Sequence, residues 1–452
     1  MKTILGASFA LLALSTGASA QGPEGRAFPA TLAHQAILPA DTTVTPPTDA
    51  PEHLRHAGKF TTPDRRRTED LGTVPGKDGV RPTGFGLPVE GQAVQGFSGI
   101  RRMADGTFWT LSDNGFGSKA TSSDAALMLH HIAIDWDAGT IDRRQTLFLS
   151  DPDKIAPFPI TLEGTAERYL TGADFDVESL QPVEDGFWVG EEFGPYLLRF
   201  DAQGRLRSVH ETRAGQILVR SPDHPALQLP GDPTKALPDF NLKRSGGFEG
   251  LARSPDGSRL YALLEGPIYR DGAVEKTDDG RTALRVLEFD TGQNDWTGRF
   301  WLYPLSEKGV AIGDFNMLDD TTALVIERDN GAGTAAQACR GEPAADCFAA
   351  PAELKRVYKI EMSDANEGQA VRKIGYLDLL AIQDPTGAAR QGTKDGVYDM
   401  PFVTIENVDR VDETHIVVAN DNNFPYSAGR SPTRADDNEF VLIEAGDFLA
   451  AK

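Results

Sequence analysis

The sequence predicts an all-β fold, a β-propeller with four-stranded antiparallel blades. Three observations indicate this fold: a hairpin pattern recurs along the chain, further strand-like runs separate its copies, and long stretches of helical periodicity are hard to find. Five copies of the hairpin are recognisable. A pair of β-sandwich domains is the competing fold, but similar hairpins in such number favour radial repetition.

Each copy of the hairpin is a short strand, a tight turn carrying Asp, and a second strand of β-branched and aromatic residues. The clearest copies begin at Gly96 (GFSGIRRMADGTFWTLSDNG), Ala173 (ADFDVESLQPVEDGFWVGEEFG) and Gly246 (GGFEGLARSPDGSRLYALLEGP). Weaker copies begin at Ile312 and Val403. Runs such as LMLHHIAIDWDAGT and LRVLEFDTGQNDW lie between the copies and supply a third and usually a fourth strand. Units of this kind are typical of propeller blades.

The chain divides into three regions. Residues 1–20 combine a positively charged start, an apolar run and the small-residue sequence ASA, which predicts a cleavable signal peptide and a mature chain that begins near Gln21. Residues 21–95 are rich in Pro, Ala and Thr at first and irregular later, which predicts an extended arm. Residues 96–452 form the predicted propeller. The arm could complete a sixth blade, or one of its strands could instead close the last blade.

Composition limits the kinds of partner that the protein can bind. The formal net charge of −22 over 452 residues makes nucleic acid and anionic membrane surfaces poor partners, because both are polyanions. No segment after the signal approaches the roughly 20 apolar residues that cross a bilayer, so we expect no membrane insertion. The signal peptide predicts a periplasmic or secreted protein. A monomer is favoured, with a small-molecule substrate.

The chain contains two cysteines, Cys339 and Cys347, in the stretch CRGEPAADC. Export to an oxidising compartment predicts that so close a pair forms a local disulfide. The spacing is not CxxC, and a second pair that would complete a zinc site is missing from the sequence.

Carboxylates recur at equivalent positions of the hairpins. In a propeller the first strand of each blade lines the channel and the second returns to the face where the first began, so the start of one and the end of the other share a face. The first-strand set is Glu178, Glu249 and Glu406, with Ser98 and Asp314 as variants, and the second-strand ends carry Asp113, Glu191, Glu192, Glu265, Glu327, Asp329 and Asp421. So many acids around one mouth would repel one another unless they are solvated, protonated or neutralised.

A cation is the favoured means of neutralisation. Calcium accepts six to eight oxygen ligands in flexible geometry and needs no histidine or thiol, which matches the residue types available. Magnesium would keep more of its waters. A solvated acidic rim is one alternative, and salt bridges are another, with Arg101, Arg244, Arg253 and Arg328 as the partners.

Other chemistries have little support in the sequence. It lacks a GxSxG nucleophile elbow, a GxxxxGK[ST] phosphate loop and a GxGxxG that opens a helix. His130 and His131 are neighbours on an alternating strand and would point to opposite faces, which indicates structural roles. Trp109, Trp188 and Tyr261 occupy matching second-strand positions, which is typical of packing between blades.

Four motifs carry a family resemblance: DVESLQPVEDGFWVGEEFGPYLLRFD, GGFEGLARSPDGSRLYALLEGPI, RVLEFD and ALVIERD. Through them the chain, from about residue 97 to 440, resembles the phytase-like family, described as having an esterase-like activity of phytase. The resemblance implies an exported bacterial β-propeller that hydrolyses phosphate or other esters. Alkaline propeller phytases use calcium at a carboxylate-lined channel mouth, but the motifs here are those of the phytase-like family, so individual roles do not transfer. The implied metal-facing positions are Glu178, Glu191, Glu192, Glu249 and Glu265, with Asp113, Glu327, Glu406 and Asp421 as further candidates.

Two functions follow as hypotheses. The first is a calcium-dependent hydrolase of phosphate or carboxylic esters, in which Glu191, Glu192 and Glu249 are the candidate catalytic residues. Lys243 and Arg244 would contact a phosphate, because guanidinium matches phosphate geometry; the alternative for both is a solvated loop cation. The second function is a propeller that binds a ligand or partner without catalysis and holds calcium for structure alone, since fold does not decide between them.

Overall fold

The computed structural model describes residues 24–62, 64–70 and 72–452, and strands make up most of its regular structure. The predicted signal peptide at residues 1–20 and the expected mature start at Gln21 lie outside the described residues. Within the described part, one α-helix occurs, α1 (Gly446–Ala450), close to the C-terminus.

The N-terminal segment contains short strands and two short 3-10 helices. In chain order the strands are β1 (Arg26–Phe28), β2 (Thr31–Leu38), β3 (Thr43–Val44), β4 (His56–Ala57), β5 (Val74–Asp78), β6 (Arg81–Leu87), β7 (Val89–Glu90) and β8 (Gln92–Ala93), and the 3-10 helices are Glu52–Leu54 and Thr68–Asp70. β3 pairs with β8, β4 with β7, and β5 with β6, each as a separate two-stranded sheet. Prolines recur in this segment and remove backbone donors, which limits the length of its strands.

Blades 1 and 2 follow in chain order, and each is a four-stranded antiparallel sheet. Blade 1 consists of β9 (Phe97–Arg102), β10 (Phe108–Ser112), β11 (Met128–Asp135) and β12 (Thr140–Phe148). Blade 2 consists of β13 (Val177–Val183), β14 (Gly186–Glu191), β15 (Tyr196–Asp201) and β16 (Leu206–Glu211), and a small hairpin of β17 (Arg213–Ala214) and β18 (Ile217–Leu218) follows it.

Blades 3 and 4 continue the same order. Blade 3 begins with β19 (Phe248–Arg253) and β20 (Arg259–Leu264), then the inserted hairpin β21 (Tyr269–Arg270) and β22 (Ala273–Val274), and ends with β23 (Ala283–Asp290) and β24 (Asp295–Pro304). Blade 4 consists of β25 (Ala311–Met317), β26 (Thr322–Arg328), β27 (Lys355–Glu361) and β28 (Arg372–Asp378), with 3-10 helices at Ala335–Gln337 and Asp364–Asn366. Strand β1 adds to the outer edge of blade 4, parallel to β28.

Blade 5 combines both ends of the chain. After β29 (Ile382–Gln383), β30 (Thr393–Lys394) and β31 (Val397–Tyr398), its own strands are β32 (Ile405–Arg410), β33 (His415–Asn420) and β34 (Asn438–Glu444). The fourth strand is β2, which pairs antiparallel with β34 from Thr31 opposite Glu444 to Leu38 opposite Asn438. An N-terminal strand therefore closes the last blade, and the described residues contain five blades and no sixth.

The inner strands β9, β13, β19, β25 and β32 form a closed ring. Each of them packs against the next in chain order, and β32 packs against β9. This ring confirms the predicted β-propeller, and the alternative of two β-sandwich domains is wrong, because two stacked sheets would not place five first strands around one axis.

The hydrophobic core lies between neighbouring blades. Trp109 of blade 1 meets Phe187 of blade 2 with ring centroids 4.8 Å apart, and Trp188 of blade 2 meets Phe289 of blade 3 at 5.4 Å. Tyr261 contacts Trp301 within blade 3. Trp188 is buried in the core, and Trp109 and Tyr261 are half-buried against it, so all three pack as their matching positions in the hairpins predict.

The two neighbouring histidines of β11 point to opposite faces. His130 is fully buried, and its ring bonds to the hydroxyls of Ser112 and Thr146 at 3.0 and 3.1 Å. His131 stacks on Trp109, with ring centroids 4.8 Å apart. Neither ring lies in a cluster of metal-ligating groups among the described residues.

The predicted disulfide is confirmed. A disulfide joins Cys339 to Cys347, whose Cα atoms are 4.9 Å apart, within the loop between β26 and β27.

Candidate functional site

Three glutamates occupy β-bulges at the starts of inner strands. The pairing of β13 with β14 passes from Val177 to Ser179 and skips Glu178. The pairings of β19 with β20 and of β32 with β33 skip Glu249 and Glu406 in the same way. A bulge places one extra residue on a strand and re-aims its side chain. One oxygen from each of the three carboxylates lies within 4.8 Å of the others.

A second cluster shares one of these glutamates. Oxygens of Asp176, Glu178 and Glu192 also lie within 4.8 Å of one another, so Glu178 belongs to both clusters. All five carboxylates are buried, with exposed fractions between 2% and 8%. We name this set the acidic mouth: Asp176, Glu178, Glu192, Glu249 and Glu406.

Three oxygens of the acidic mouth have no hydrogen-bond partner among the described residues. They are Oδ1 of Asp176, Oε1 of Glu192 and Oε1 of Glu249, and each is completely shielded from solvent. A buried polar atom without a partner costs about 1–3 kcal/mol, and more when it carries charge. The arrangement therefore favours a bound positive group or protonation of these carboxyls.

Burial and mutual repulsion disfavour ionisation at the acidic mouth. Burial, followed by the charges of neighbouring carboxylates, raises the pKa values of Glu178, Glu192 and Glu249 well above the ordinary range. Burial also raises the pKa of Asp176 to about 6. A divalent cation would reverse this balance, because it stabilises the ionised form of every carboxylate around it.

One arginine supplies part of the missing positive charge. Nη2 of Arg328, at the end of β26, lies 3.2 Å from Oε1 of Glu265 and 3.2 Å from Oε1 of Glu406. Burial lowers the pKa of Arg328, but Glu265 and Glu406 outweigh it and the net shift is upwards. Burial raises the pKa of Glu265 to about 7, although Arg328 opposes this. A single guanidinium leaves most of the acidic mouth without a counter-charge.

The other predicted salt-bridge partners lie elsewhere. Arg101 donates to Asp409 at 2.9 Å, towards the opposite end of the channel, and Arg253 forms no ion pair among the described residues. Arg244 pairs with Asp223.

Two further predicted ligands border the acidic mouth. Oδ1 of Asp113 accepts hydrogen bonds from Gln95 at 3.1 Å and from the Gly115 amide at 2.7 Å. Burial, and then the charge of Asp176, raises the pKa of Asp113 to about 8. Gly96 makes room for this carboxylate: its φ is +62°, and a Cβ there would lie 2.2 Å from Oδ1 of Asp113.

Asp421 lies on the same border. Its Oδ1 accepts a hydrogen bond from the Asn423 amide at 2.6 Å. Burial raises the pKa of Asp421, and the nearby charges of Asp113 and Glu406 raise it further.

Two predicted ligands are bonded outside the clusters. Both oxygens of Glu191 accept backbone amides, from Phe193 and Gly194 at 2.8 Å each, so this side chain shapes the loop after β14. Burial raises its pKa to about 8. Glu327 bonds to Lys373 and Tyr303 at 2.7 Å each, in a separate buried network.

Ser98 and Asp314 stand on first strands at the positions where other blades carry glutamate. Ser98 donates from Oγ to Oε2 of Glu406 at 3.0 Å and so orients that carboxylate. Asp314 lies deeper in the channel, where it accepts the amides of Val408 and Phe315 at 2.9 and 2.7 Å. Burial raises the pKa of Asp314 to about 7.

The predicted phosphate contacts lie at the surface. Lys243 and Arg244 are both exposed. The partner of Arg244, Asp223, lies close enough to Asp176 for its charge to raise the pKa of that carboxyl. Arg244 is thus near the acidic mouth but outside it.

Sequence reasoning missed Asp176 and the placement of Arg328. In ADFDVESL two aspartates alternate, and only the structure shows that Asp174 bonds to Thr161 and Thr171 while Asp176 turns inwards. The sequence signal that could have identified Asp176 is an acidic residue two positions before Glu178. No acidic residue stands at that position in the other hairpins.

The donor set fits a hard divalent cation. Both clusters consist of carboxylates alone, without histidine or cysteine, in the part of the chain that the structure describes. Oxygen-only sites of this kind suit calcium or magnesium, whereas zinc and copper favour nitrogen and sulfur.

A family model described as "Phytase-like: Esterase-like activity of phytase" matches residues 92–424, which include every member of the acidic mouth. The chain belongs to the phytase-like family. This phytase-like chain is also 25% identical over 273 residues to an uncharacterized secreted protein of Arthroderma benhamiae. That match covers 48% of this chain and 52% of the relative, so the chain spans about half the length of the curated relative it matches.

Solved structures similar to this phytase-like chain include two enzymes and one propeller. A luciferin-regenerating enzyme has a TM-score of 0.33 at 11% identity and covers 84% of this chain and 97% of its own. A periplasmic gluconolactonase of Pseudomonas aeruginosa has a TM-score of 0.29 at 12% identity, over 79% and 90% of the two chains. The Dos1 propeller has a TM-score of 0.28 at 8% identity, over 80% and 69%.

A membrane-spanning helix is missing from the described residues: none is both long enough and apolar enough to cross a bilayer.

Proposed function

We propose that this phytase-like protein is an exported hydrolase of phosphate or carboxylic esters that works with calcium at the acidic mouth. The observation that carries the proposal is the set of three shielded carboxylate oxygens without partners, one each on Asp176, Glu192 and Glu249. Structural carboxylates are normally satisfied, so unpaired ones gathered at a channel mouth support a role in holding a cation.

Two cation positions follow from the clusters. One would be held by Asp176, Glu178 and Glu192, and the other by Glu178, Glu249 and Glu406. Glu178 would bridge the two. Calcium suits this donor set because it tolerates irregular oxygen geometry, and water and substrate oxygens could complete its shell.

When bound, a divalent cation polarises a substrate oxygen and lowers the pKa of a coordinated water. The residues of the chain would supply the rest. Glu192 and Glu249 have two carboxylate oxygens each, so one oxygen could hold the cation while the other accepts a proton from the attacking water. Glu191 would act as a positioning residue, because its bonds to the Phe193 and Gly194 amides fix the loop that follows Glu192.

Lys243 and Arg244 would bind the substrate at the entrance. Both are exposed, and Arg244 would exchange its partner Asp223 for a substrate phosphate. Guanidinium forms paired hydrogen bonds with phosphate, which supports a phosphate ester as one substrate class.

A second function is favoured by one specific observation. Arg328 already forms ion pairs with Glu265 and Glu406, and the five carboxylates of the acidic mouth are at most 8% exposed. So closed a site would suit a structural calcium ion in a propeller that binds a ligand without catalysis.

One experiment separates the two functions. Purified mature protein is assayed against phytate, p-nitrophenyl phosphate and short acyl p-nitrophenyl esters, with and without calcium. The hydrolase predicts turnover that requires calcium and that Glu249→Gln lowers by about 10²-fold or more. Glu353→Gln, at an exposed glutamate paired with Lys308, is the matched control and should keep the parent rate. A protein that binds calcium but turns over none of these substrates would instead be the non-catalytic propeller.

A further inference from the structure

The end of the channel opposite the acidic mouth is lined by arginines. β19 runs from Glu249 near its start to Arg253 at its end, and β32 runs from Glu406 to Arg410 in the same way. A strand rises about 3.3 Å per residue, so each pair is separated by about 13 Å along the channel. Arg102 ends β9 at the same level.

Three of these arginines have no acidic partner. Arg102, Arg253 and Arg410 form no ion pair with any carboxylate among the residues that the structure describes. We name these three the arginine mouth. In a chain with a net charge of −22, unpaired arginines at one place are unexpected, because acidic side chains are abundant everywhere else.

The nearby acids are already bonded to other groups. Asp409 accepts from Nη1 of Arg101 at 2.9 Å, and its oxygens also receive the backbone amides of Arg102 and Arg410 at 2.7 and 2.8 Å. Asp256 accepts from the Ser258 amide at 2.9 Å and closes its own turn. Asp409 compensates Arg101, so the arginine mouth keeps its positive charge.

The arginines surround a cavity of about 330 Å³. Arg101, Arg102, Arg253 and Arg410 all line it, together with Gln181 and the apolar side chain of Met317. Gln181 donates to the Leu251 carbonyl at 2.5 Å and to Asn316 at 2.9 Å, so a fixed amide network forms the inner wall. The cavity is large enough for a small anion or its ester and has donors on several sides.

We propose that the arginine mouth is a second binding site, for a phosphate group, either as the free anion or as a phosphomonoester. Three guanidinium groups offer more donors than a single carboxylate can accept, whereas a phosphate dianion presents several oxygens and two charges to them. The site is separate from the acidic mouth and needs no metal.

Isothermal titration calorimetry with inorganic phosphate tests the site. The protein is first freed of divalent cations with a chelator and desalted, so phosphate cannot bind through a cation at the acidic mouth. The parent should give saturable binding of one phosphate. Arg253→Gln combined with Arg410→Gln should weaken it by about tenfold or more, because two charge-assisted contacts are lost.

Controls and competing ligands make the test decisive. Arg144→Gln combined with Arg372→Gln removes the same charge from exposed outer strands and should leave the affinity unchanged. Phenyl phosphate shows whether the free anion or the ester binds more tightly, and both results support the site. Absence of saturable phosphate binding by the parent would overturn the proposal. So would parent-like binding by the Arg253 and Arg410 double variant, or acetate affinity equal to that of phosphate. Melting temperatures of all variants confirm that they are folded.

Discussion

Glu178 is the residue that both carboxylate clusters share. It occupies a bulge in β13, between Asp176 on one side and Glu249 on the other, and burial together with these neighbours raises its pKa. A residue in this position is costly without a cation and valuable with one, so substitution should have opposite effects in the two conditions.

We expect Glu178→Gln to raise the unfolding free energy without calcium and to remove most of the gain with calcium. In the parent, calcium at a hundredfold excess over its dissociation constant should add about 2.7 kcal/mol. The variant should lose most of this gain because both positions lose a ligand. Urea unfolding with and without calcium measures both effects, and Glu353→Gln should behave like the parent. A variant that responds to calcium as the parent does would remove Glu178 from the ligand set.

His130 gives the stability of the protein a pH dependence of its own. Burial, followed by the charge of Arg143, lowers the pKa of His130 from 6.5 to about 3. Below pH 6.5 the unfolded chain therefore binds a proton that the folded chain does not, and stability present above pH 6.5 is lost as the pH falls towards 3. The slope reaches about 1.4 kcal/mol per pH unit.

His130→Gln tests this dependence, because an amide can still bond to Ser112 and Thr146. At pH 8 the variant should be less stable than the parent through lost packing alone. At pH 5 the difference should be smaller by about 2 kcal/mol, because the parent has lost its histidine contribution over 1.5 pH units. Urea unfolding at the two pH values measures it, and an equal difference at both would refute the assignment.

At the scale of elements, β2 has the largest consequence for the fold. It is the outermost of the four propeller strands of blade 5, and Ala36 and Leu38 on it are buried in the core between blades 5 and 1. Pairing between the two ends of the chain gives blade 5 its fourth strand and covers the edge that β34 would otherwise expose.

We expect a chain that begins at Pro39, and so lacks β1 and β2, to lose cooperative thermal unfolding, because the open edge of β34 and the core behind it become exposed. A chain that begins at Ala30 lacks β1 but keeps β2, and it should retain a single transition at a lower temperature. Circular dichroism melting of both, beside the parent, measures the contrast. A cooperative, parent-like melt of the shorter chain would show that β2 is dispensable.

Hairpins were predictable from the sequence because their signal is local. Alternating strands and turn residues predict the blades. Carboxylates at matched positions predict the shared propeller face and four of the five members of the acidic mouth. The sequence does not decide between a sixth blade and the pairing of β2 with β34, because a strand and its partner 400 residues away share no local signal.

The finer arrangement of the acidic mouth depends on long-range packing. The sequence grouped Arg328 with three other arginines, and only the structure shows that it alone reaches Glu265 and Glu406. Glu327 precedes Arg328 on β26, where alternation sends the two side chains to opposite faces. The position of a residue in the repeat therefore predicts at which end of the strand it lies, but not which face of the sheet its side chain occupies.

At the scale of the whole molecule, the acidic mouth joins blades that are far apart in sequence. Glu178 belongs to blade 2, Glu249 to blade 3 and Glu406 to blade 5, while Arg328 reaches in from blade 4. A cation bound here would hold the starts of several inner strands together, so its effect should spread around the ring instead of staying in one hairpin.

Hydrogen exchange with and without calcium tests this expectation. We expect calcium to slow exchange at the amides around Glu178, Glu249 and Glu406 together, because each blade must move for the cation to leave. The strand ends at Arg253 and Arg410, about 13 Å away along the channel, should change much less. Glu178→Gln should abolish the protection in all three blades at once, since both cation positions use that carboxylate. Protection confined to a single blade would mean that calcium binds within one hairpin and that the blades do not share a site.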